Sequence, residues 1–405
     1  MTSAIRRLAG LAAAALAVAC NNETLMTPAM PAYSGAAMFR RYVSMGNSIT
    51  AGFQSGGIND STQRQSYPVL LAAAMGGDPF YYPSLASPGC PPPYTNVFTQ
   101  TRLGGLGSTF CAFRSAQPVP YVSNLGVPGA EVLDLTVNGP GAGTNSNALT
   151  QLVLGGRTQV QAMIAAHPTF VSVWIGNNDV LGAVLSPTNG GDSTLITPLA
   201  TFQTEYQGVV DAVKATGAKA ILIGVANVTE IPYASYGATY FAIKNGFVPG
   251  ASFPPSFAVG ANCAPGSFGG KGDSVLVPFP FGATLIGAAQ AGVPDTLKCA
   301  EPQTIQPAEL RKLVATVTAY NGFISGAAST NGWAYLDPNP TLDSLRSIST
   351  QFAAFPGLGN ACSTSPFGLA FSCDGFHPSA STHLLIARHL VQAINAKYGS
   401  AIPSP

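Results

Sequence analysis

Short apolar runs alternate along the chain with longer segments in which apolar residues recur at helical spacing. A short apolar run bounded by turn residues is typical of a buried strand, and recurrence every three or four residues is typical of an amphipathic helix. The runs predict strands at 42–45, 120–125, 170–175, 220–225 and 333–337. The helical spacing predicts helices at 67–75, 149–166, 199–216, 309–324 and 380–396.

This alternation of strands and helices predicts an α/β domain whose parallel sheet has helices on both faces. Two segments rich in glycine, proline and aromatic residues, 76–118 and 230–304, interrupt the alternation, and we interpret them as long irregular insertions. The carboxyl ends of parallel strands meet at one edge of the sheet, where open α/β proteins hold their reactive groups. Polar residues that directly follow a strand are therefore the first candidates for a functional site.

Ser48 is the first of these candidates, because only Gly46 and Asn47 separate it from the predicted strand at 42–45. A serine in such a turn can also cap a helix. A serine hydroxyl becomes a useful nucleophile only with a base in reach and a group that orients the base. Asp374 and His377 lie three residues apart in a predicted turn and supply such a pair.

The four histidines of the chain narrow the choice of base. His167 precedes a proline after a predicted helix. His383 and His389 lie inside the predicted last helix without a nearby upstream carboxylate. We therefore predict that His377 is the base and that Asp374 orients it.

Four short segments occur in the order of the four sequence blocks of the SGNH, or GDSL-type, serine hydrolases, and resemble them. They are Gly46-Asn47-Ser48, Asn124-Leu125-Gly126-Val127-Pro128-Gly129-Ala130, Gly176-Asn177-Asn178-Asp179 and Asp374-Gly375-Phe376-His377. The resemblance covers the scaffold from about Arg41 to the last helix. It implies a three-layer α/β/α, flavodoxin-like fold with a five-stranded parallel sheet.

The resemblance also implies an esterase or lipase that forms an acyl-enzyme on Ser48. In such an enzyme the oxyanion is bound by the backbone N–H groups of Ser48 and Gly129 and by the side-chain amide of Asn178. The implied mechanism requires no metal and no cofactor. Asn47 stands where the family has Asp, and the nucleophile itself is unchanged.

Two literal Gly-Asp-Ser triplets occur elsewhere, and they end at Ser193 and Ser274. Glycine and small polar residues precede both, so neither serine follows a predicted strand. We interpret both as loop residues, with Ser193 a possible helix cap.

The N-terminus predicts export. Arg6 and Arg7 precede an apolar run at 8–19 that is too short to span a bilayer, which indicates a signal peptide at 1–19. Cys20 follows directly, as in a bacterial lipobox. We expect Cys20 to carry lipid, residues 20–38 to form a tether, and residues 39–400 to form the hydrolase domain. Without lipid the protein would be secreted.

The remaining six of the seven cysteines form an even number, as suits an exported protein with disulfides. Sequence proximity favours the pairs Cys90–Cys111, Cys263–Cys299 and Cys362–Cys373. Cys373 directly precedes Asp374, so the last pair is predicted to fix the backbone that aims Asp374 at His377. The spacings show no paired C-x-x-C pattern of a zinc site.

Composition excludes some partners. Charged residues make up 9% of the 405 residues and the net charge is +1, so the chain presents no basic surface for nucleic acid. The expected partners are a small-molecule or lipid ester and, through Cys20, a membrane. Two alternatives remain: a surface lipoprotein that binds a ligand on the same fold without catalysis, and an esterase that removes acetyl groups from polysaccharide.

Overall fold

The computed structural model describes residues 37–113, 119–138 and 144–405. The predicted signal peptide, Cys20 and the predicted tether up to residue 36 lie outside the described residues. Within the described residues the strands are β1 (Tyr42–Gly46), β2 (Tyr94–Asn96), β3 (Thr101–Arg102), β4 (Phe170–Trp174), β5 (Lys219–Ile223), β6 (Ala234–Tyr236), β7 (Phe257–Val259), β8 (Leu276–Pro278), β9 (Asp295–Leu297) and β10 (Ala334–Leu336).

The helices surround the central strands. Those described are α1 (Ser48–Ala51), α2 (Asp60–Arg64), α3 (Tyr67–Met75), α4 (Ala148–Leu154), α5 (Gln159–Ala165), α6 (Asn178–Leu185), α7 (Leu199–Ala215), α8 (Gly237–Lys244), α9 (Phe279–Gln290), α10 (Pro307–Thr330), α11 (Asn339–Arg346) and α12 (Ala380–Tyr398). None of the helices in this part of the chain is long and apolar enough to cross a membrane.

The central sheet has four parallel strands in the order β1-β4-β5-β10, which confirms the predicted α/β class. Successive side chains of β1 and β4 alternate between two cores, as the pleat of a strand requires. Val43 and Val171 lie in the core that α5, α7 and α10 cover. Tyr42 and Phe170 lie in the core that α3 and α12 cover. Helices therefore pack on both faces, as predicted.

The predicted strand at 120–125 does not form, so the sheet has four strands rather than five. The segment nevertheless lies beside β1, where Ser44 donates its N–H to Ser123 at 2.8 Å and accepts from Leu125 at 2.9 Å. The Val127 N–H also donates to the Gly46 carbonyl at 3.1 Å, but of these residues only Ser44 and Asn124 form a β-bridge. The Asn124 side chain is engaged locally, donating to the Thr50 carbonyl at 2.8 Å and accepting from the Gly126 N–H at 3.1 Å. The edge position is occupied by a single bridge instead of a strand.

Two helix predictions also change. The predicted helix at 149–166 is two helices, α4 and α5, because Gly155 and Gly156 between them adopt positive φ angles of 57° and 84°. Helix α6 begins directly at Asn178, where no helix was predicted. Asn and Asp favour both turns and helix N-termini, so their presence after β4 does not distinguish a turn from the start of a helix.

The insertion at 230–304 is not irregular, contrary to the prediction. It contains the antiparallel pair β6–β8, the parallel pair β7–β9 and helices α8 and α9. These elements enclose a core of their own, which includes Tyr240, Phe257 and Ile286. Strands of three residues are too short to show a periodic pattern, which is why the sequence suggested loops. Among the described residues of the segment 76–118, the short pair β2–β3 is the one strand pair, and a 3₁₀ turn follows it at Leu103–Gly105.

The backbone at Gly46, the end of β1, lies in close contact with Trp174 and Thr50. A Cβ on Gly46 would lie 2.4 Å from the Trp174 carbonyl oxygen and 2.3 Å from Thr50 Oγ1, so only glycine fits there. The buried Gln159 side chain then completes the hydrogen bonding of Gly46, accepting from its N–H and donating to its carbonyl, both at 2.9 Å. These contacts fix the backbone immediately before Ser48.

Candidate active site

Ser48 lies at the carboxyl end of β1 as the first residue of α1. The Asn47 side chain caps this short helix, because its Oδ1 accepts the Ile49 N–H at 3.1 Å. A carboxylate oxygen at this position would accept the same bond, so asparagine preserves the cap. The Asn47 Nδ2 atom is buried and has no hydrogen-bond partner within the described residues. The departure from the family pattern therefore leaves the turn intact but adds an unpaired donor.

Ser48 and the predicted base are in direct contact. His377 Nε2 lies 2.8 Å from Ser48 Oγ, and His377 Nδ1 lies 2.8 Å from Asp374 Oδ2. All three side chains are buried, with Ser48 retaining 8% exposure. The structure thus brings together Ser48, His377 and Asp374 from the two ends of the domain in the order that a Ser-His-Asp triad requires.

The carboxylate of Asp374 accepts five hydrogen bonds. Oδ1 accepts from the Ser372 hydroxyl and from the N–H groups of Phe376 and His377, at 2.9–3.1 Å. Oδ2 accepts from the Gly56 N–H at 2.6 Å and from His377 Nδ1. Burial alone would raise the pKa of Asp374, but the charge of His377 and these hydrogen bonds outweigh it, so the pKa lies below its usual value. Asp374 therefore remains ionised beside the imidazole.

The other histidines are engaged elsewhere. Burial, with a smaller contribution from the charge of His377, lowers the pKa of His383 to about 3, and its Nδ1 accepts the Tyr67 N–H. His389 shares a hydrogen bond of 2.8 Å with the Thr341 hydroxyl. His167 is exposed. Among these side chains, only His377 contacts Ser48.

Two of the expected oxyanion donors, Asn178 and Gly129, lie on segments that are hydrogen-bonded to each other. Asn178 Nδ2 donates one N–H to the Ala130 carbonyl at 2.8 Å, which leaves its second N–H for a ligand. The Val127 N–H donates to Gly46, so Gly129 follows a segment tied to the end of β1. The backbone N–H groups of Ser48 and Gly129 donate to no group in the described part of the chain. These three donors thus remain without a partner in the described part of the chain.

Asp179 holds these two segments together, a role that the sequence interpretation missed. Its Oδ2 accepts the Val132 N–H at 3.0 Å, two residues beyond the Ala130 carbonyl that Asn178 binds. Burial, reinforced by the Glu131 carboxylate, raises the pKa of Asp179 to about 7. The only available sequence signal was a carboxylate directly after a buried strand. Gln159 gave no signal at all, since its partner Gly46 lies far away in sequence.

The two literal Gly-Asp-Ser triplets lie apart from this site. Ser193 begins a single 3₁₀ turn that the Asp192 side chain caps, so the cap is Asp192 and not Ser193. Ser274 ends another 3₁₀ turn, and its hydroxyl donates to the Lys271 carbonyl. Neither serine has a histidine partner among its hydrogen bonds.

The three cysteine pairs favoured by sequence proximity are disulfides in the structure: Cys90–Cys111, Cys263–Cys299 and Cys362–Cys373. Disulfides are typical of exported proteins. Reciprocal bonds join the chain next to the third one to the loop after α1, because Ser55 accepts the Cys373 N–H at 3.1 Å and donates its own N–H to Ser372 at 2.8 Å. Hydrogen bonds therefore hold the Asp374 backbone independently of the disulfide.

Comparisons with known proteins gave structural likenesses only. No family model and no curated protein matches the chain. A catalytic mutant of Axe2, an acetylxylan esterase from Geobacillus stearothermophilus, aligns at 14% identity with a TM-score of 0.39, over 89% of this chain and 95% of that chain. LAE5, described as an alpha/beta hydrolase enzyme from the metagenome of Lake Arreo, Spain, aligns at 13% identity with a TM-score of 0.40, over 91% and 99%.

TesA aligns at 12% identity with a TM-score of 0.35, over 88% of this chain and 98% of that chain. TM-scores below 0.5 carry no argument about function.

We expect replacement of both Cys362 and Cys373 by serine to lower the free energy of unfolding by about 3 kcal/mol, the chain-entropy value for a short loop. Turnover per folded molecule should stay near that of the wild type, because five donors already orient Asp374. Chemical denaturation and active-site titration of the double variant measure the two quantities. A large loss of turnover in fully folded protein would instead give the disulfide the orienting role that the sequence suggested.

Asp179 should make stability depend on pH. Its folded pKa is raised to about 7, so the unfolded chain ionises first as the pH rises from about 4, and the stabilising contribution is lost by the time the pH passes 7. We expect Asp179→Asn to match the wild type near pH 4 and to gain stability relative to it near pH 8. Denaturant unfolding of both proteins at the two pH values measures this, and a difference independent of pH would contradict it.

Proposed function

We propose that this protein is an exported serine hydrolase that cleaves carboxylic esters. The observation that carries the proposal is the continuous hydrogen-bonded series from Ser48 through His377 to Asp374, at the carboxyl edge of a parallel sheet. A nucleophile, a base and an orienting carboxylate within hydrogen-bond distance of each other are the arrangement that acyl transfer requires. The GDSL type of the hydrolase is part of the proposal.

The proposed reaction has two steps. His377 Nε2 takes the Ser48 proton as Oγ attacks the ester carbonyl, and Asp374 stabilises the imidazolium that forms. The N–H groups of Ser48 and Gly129 and the free amide N–H of Asn178 bind the tetrahedral oxyanion, each worth about 3–4 kcal/mol of barrier lowering. His377 then protonates the leaving alcohol, and water releases the acyl group by the reverse proton transfers.

The buried ionised carboxylate favours catalysis over ligand binding alone. A site that only binds a ligand has no need of an Asp374 carboxylate with five donors placed behind an imidazole that contacts a serine. An O-acetyl esterase for polysaccharide uses the same chemistry and differs from a lipase in the preferred acyl length and in the alcohol, which is a sugar hydroxyl. A series of p-nitrophenyl esters from acetate to palmitate distinguishes the two.

Export and a lipid anchor complete the proposal. Three disulfides in the described domain support an oxidising compartment. The short apolar run before Cys20 supports cleavage at that residue with lipid attached to its sulfur.

Ser48→Ala should lower the turnover of p-nitrophenyl acetate by about 10³-fold or more, because the nucleophile is lost while the oxyanion donors remain. Ser193→Ala and Ser274→Ala are matched controls, since each belongs to a literal Gly-Asp-Ser triplet outside the site, and both should retain wild-type turnover. Circular dichroism and thermal unfolding establish that each variant is folded. Activity retained in Ser48→Ala and lost in a control variant would refute the assignment.

Intact mass spectrometry of the mature protein from a bacterial host that processes lipoproteins should find a chain that begins at Cys20 and carries lipid. Cys20→Ser is the control and should leave the protein in the soluble fraction. An unmodified N-terminus at Cys20 in the wild type would mean secretion without an anchor and would leave the hydrolase proposal unaffected.

A further inference from the structure

A cleft of about 500 Å³ adjoins the triad and is walled mainly by the two insertions. We call it the aromatic cleft, after its rings Phe53, Tyr94, Phe98, Tyr233, Phe279 and Phe376. Phe98 from the segment 76–118 and Phe279 from the segment 230–304 meet edge to face, with ring centroids 5.2 Å apart. The insertions thus converge on one side of the site.

The aromatic cleft lies on the histidine side of the triad. Phe53 and Phe376 pack against the imidazole of His377 with centroid distances of 5.1 and 4.4 Å, and both rings line the cleft. Of the triad, only Asp374 forms part of its wall, and Gly129 and Asn178 do not line it. In acyl transfer the base protonates the leaving oxygen, so the alcohol part of an ester departs from the histidine side. The cleft therefore suits the leaving alcohol.

Arg102 is the one cationic side chain of the cleft wall within the described residues. It is 7% exposed, and its guanidinium lies over the Tyr94 ring at 3.8 Å from the centroid. Nη1 donates to the carbonyls of Gly56 and Pro92, both at 2.7 Å. No carboxylate pairs with it in the described part of the chain, although four other arginines there have acidic partners.

The free donors of Arg102 form one edge of the guanidinium. Nε and Nη2 donate to no described group, and neither is among the fully buried polar atoms that lack a partner, so both keep contact with solvent. An N–H pair on one guanidinium edge matches the two oxygens of a carboxylate. Asp374 cannot serve as that partner, since its two oxygens are already occupied by five donors.

We propose that the aromatic cleft binds the leaving alcohol of an ester whose alcohol carries both a ring and a carboxylate. The ring packs among the cleft's aromatic side chains, and the carboxylate pairs with Nε and Nη2 of Arg102. This proposal rests on the proposed ester hydrolysis and adds a subsite for an anionic group. It requires no change in the chemistry at Ser48.

The test compares two acetyl esters of nearly the same shape, 3-acetoxybenzoate and 3-acetoxybenzamide. The ratio of their kcat/KM values, anionic over neutral, should be higher for the wild type than for Arg102→Gln by about 10-fold or more, the usual gain of a charge-assisted pair. Comparing the ratio between the two proteins cancels the different reactivities of the esters. It also cancels any general loss from the Gly56 and Pro92 contacts.

Arg157→Gln, a change at an exposed arginine outside the cleft wall, is the matched control and should keep the wild-type ratio. An unchanged ratio in Arg102→Gln would overturn the anionic subsite and leave Arg102 a purely structural role. A second pair of esters, monophenyl succinate and the neutral phenyl butyrate, carries the carboxylate in the acyl group instead of the alcohol. This pair tests which part of the ester Arg102 recognises. If Arg102→Gln lowered the kcat/KM ratio for this second pair only, the assignment of the aromatic cleft to the leaving alcohol would be overturned.

Binding to Ser48→Ala tests the subsite without catalysis, and this also covers the case in which Arg102→Gln does not fold. Calorimetric titration should show that 3-hydroxybenzoate binds about 10-fold or more tightly than 3-hydroxybenzamide. Equal affinity would refute the subsite. A wild type that fails to hydrolyse phenyl acetate would instead refute the proposed function, so the two failures are distinguishable.

Discussion

The carboxylate of Asp374 is the interaction on which the site depends. Its five donors come from the loop after α1, through Gly56, and from the segment 372–377 before α12. A buried carboxylate with fewer partners would favour protonation, and the imidazole would lose its counter-charge. The hydrogen bond between Gly56 and Asp374, which are 318 residues apart in sequence, therefore also supports the orientation of the proposed base, His377. The contact between the two ends of the domain and the arrangement of the triad thus depend on the same carboxylate.

The sheet contributes the second constraint, which is the register of β1 against β4. Gly46 pairs with Trp174, so the segments that follow, Ser48 and Asn178, emerge side by side at the same edge. The close contact at Gly46 admits no side chain, and Gln159 completes the backbone hydrogen bonds where the ladder ends. The nucleophile and the expected oxyanion donor are thus aligned by strand pairing, while Asp179 and Asn178 tie in the segment of Gly129.

Sequence reasoning succeeded where the determining contacts are local. The bounds of α3, the strand before Ser48 and the Asp374–His377 pair follow from spacing within a few residues. It failed where the contacts are distant, as with Gln159 and Gly46, or where a side chain overrides a weak pattern. The strand predicted at 120–125 is reduced to one bridge at Asn124, whose side chain binds Thr50. The core around Tyr240 belongs to a segment whose three-residue strands show no periodicity. Tertiary packing determined the structure of these segments, and it cannot be inferred from a local sequence pattern.

The insertions and the triad are linked through one residue, Gly56. Gly56 donates its N–H to Asp374 and accepts at its carbonyl from Arg102, so the orienting carboxylate and the cation of the aromatic cleft contact the same residue. If an anion bound in the proposed subsite displaced Arg102, the contact at Gly56 would change with it, and small displacements of catalytic groups have large effects on rate. Under the proposed subsite, an occupied cleft therefore acts on the residue that orients Asp374, although the insertions contribute no residue to the triad itself.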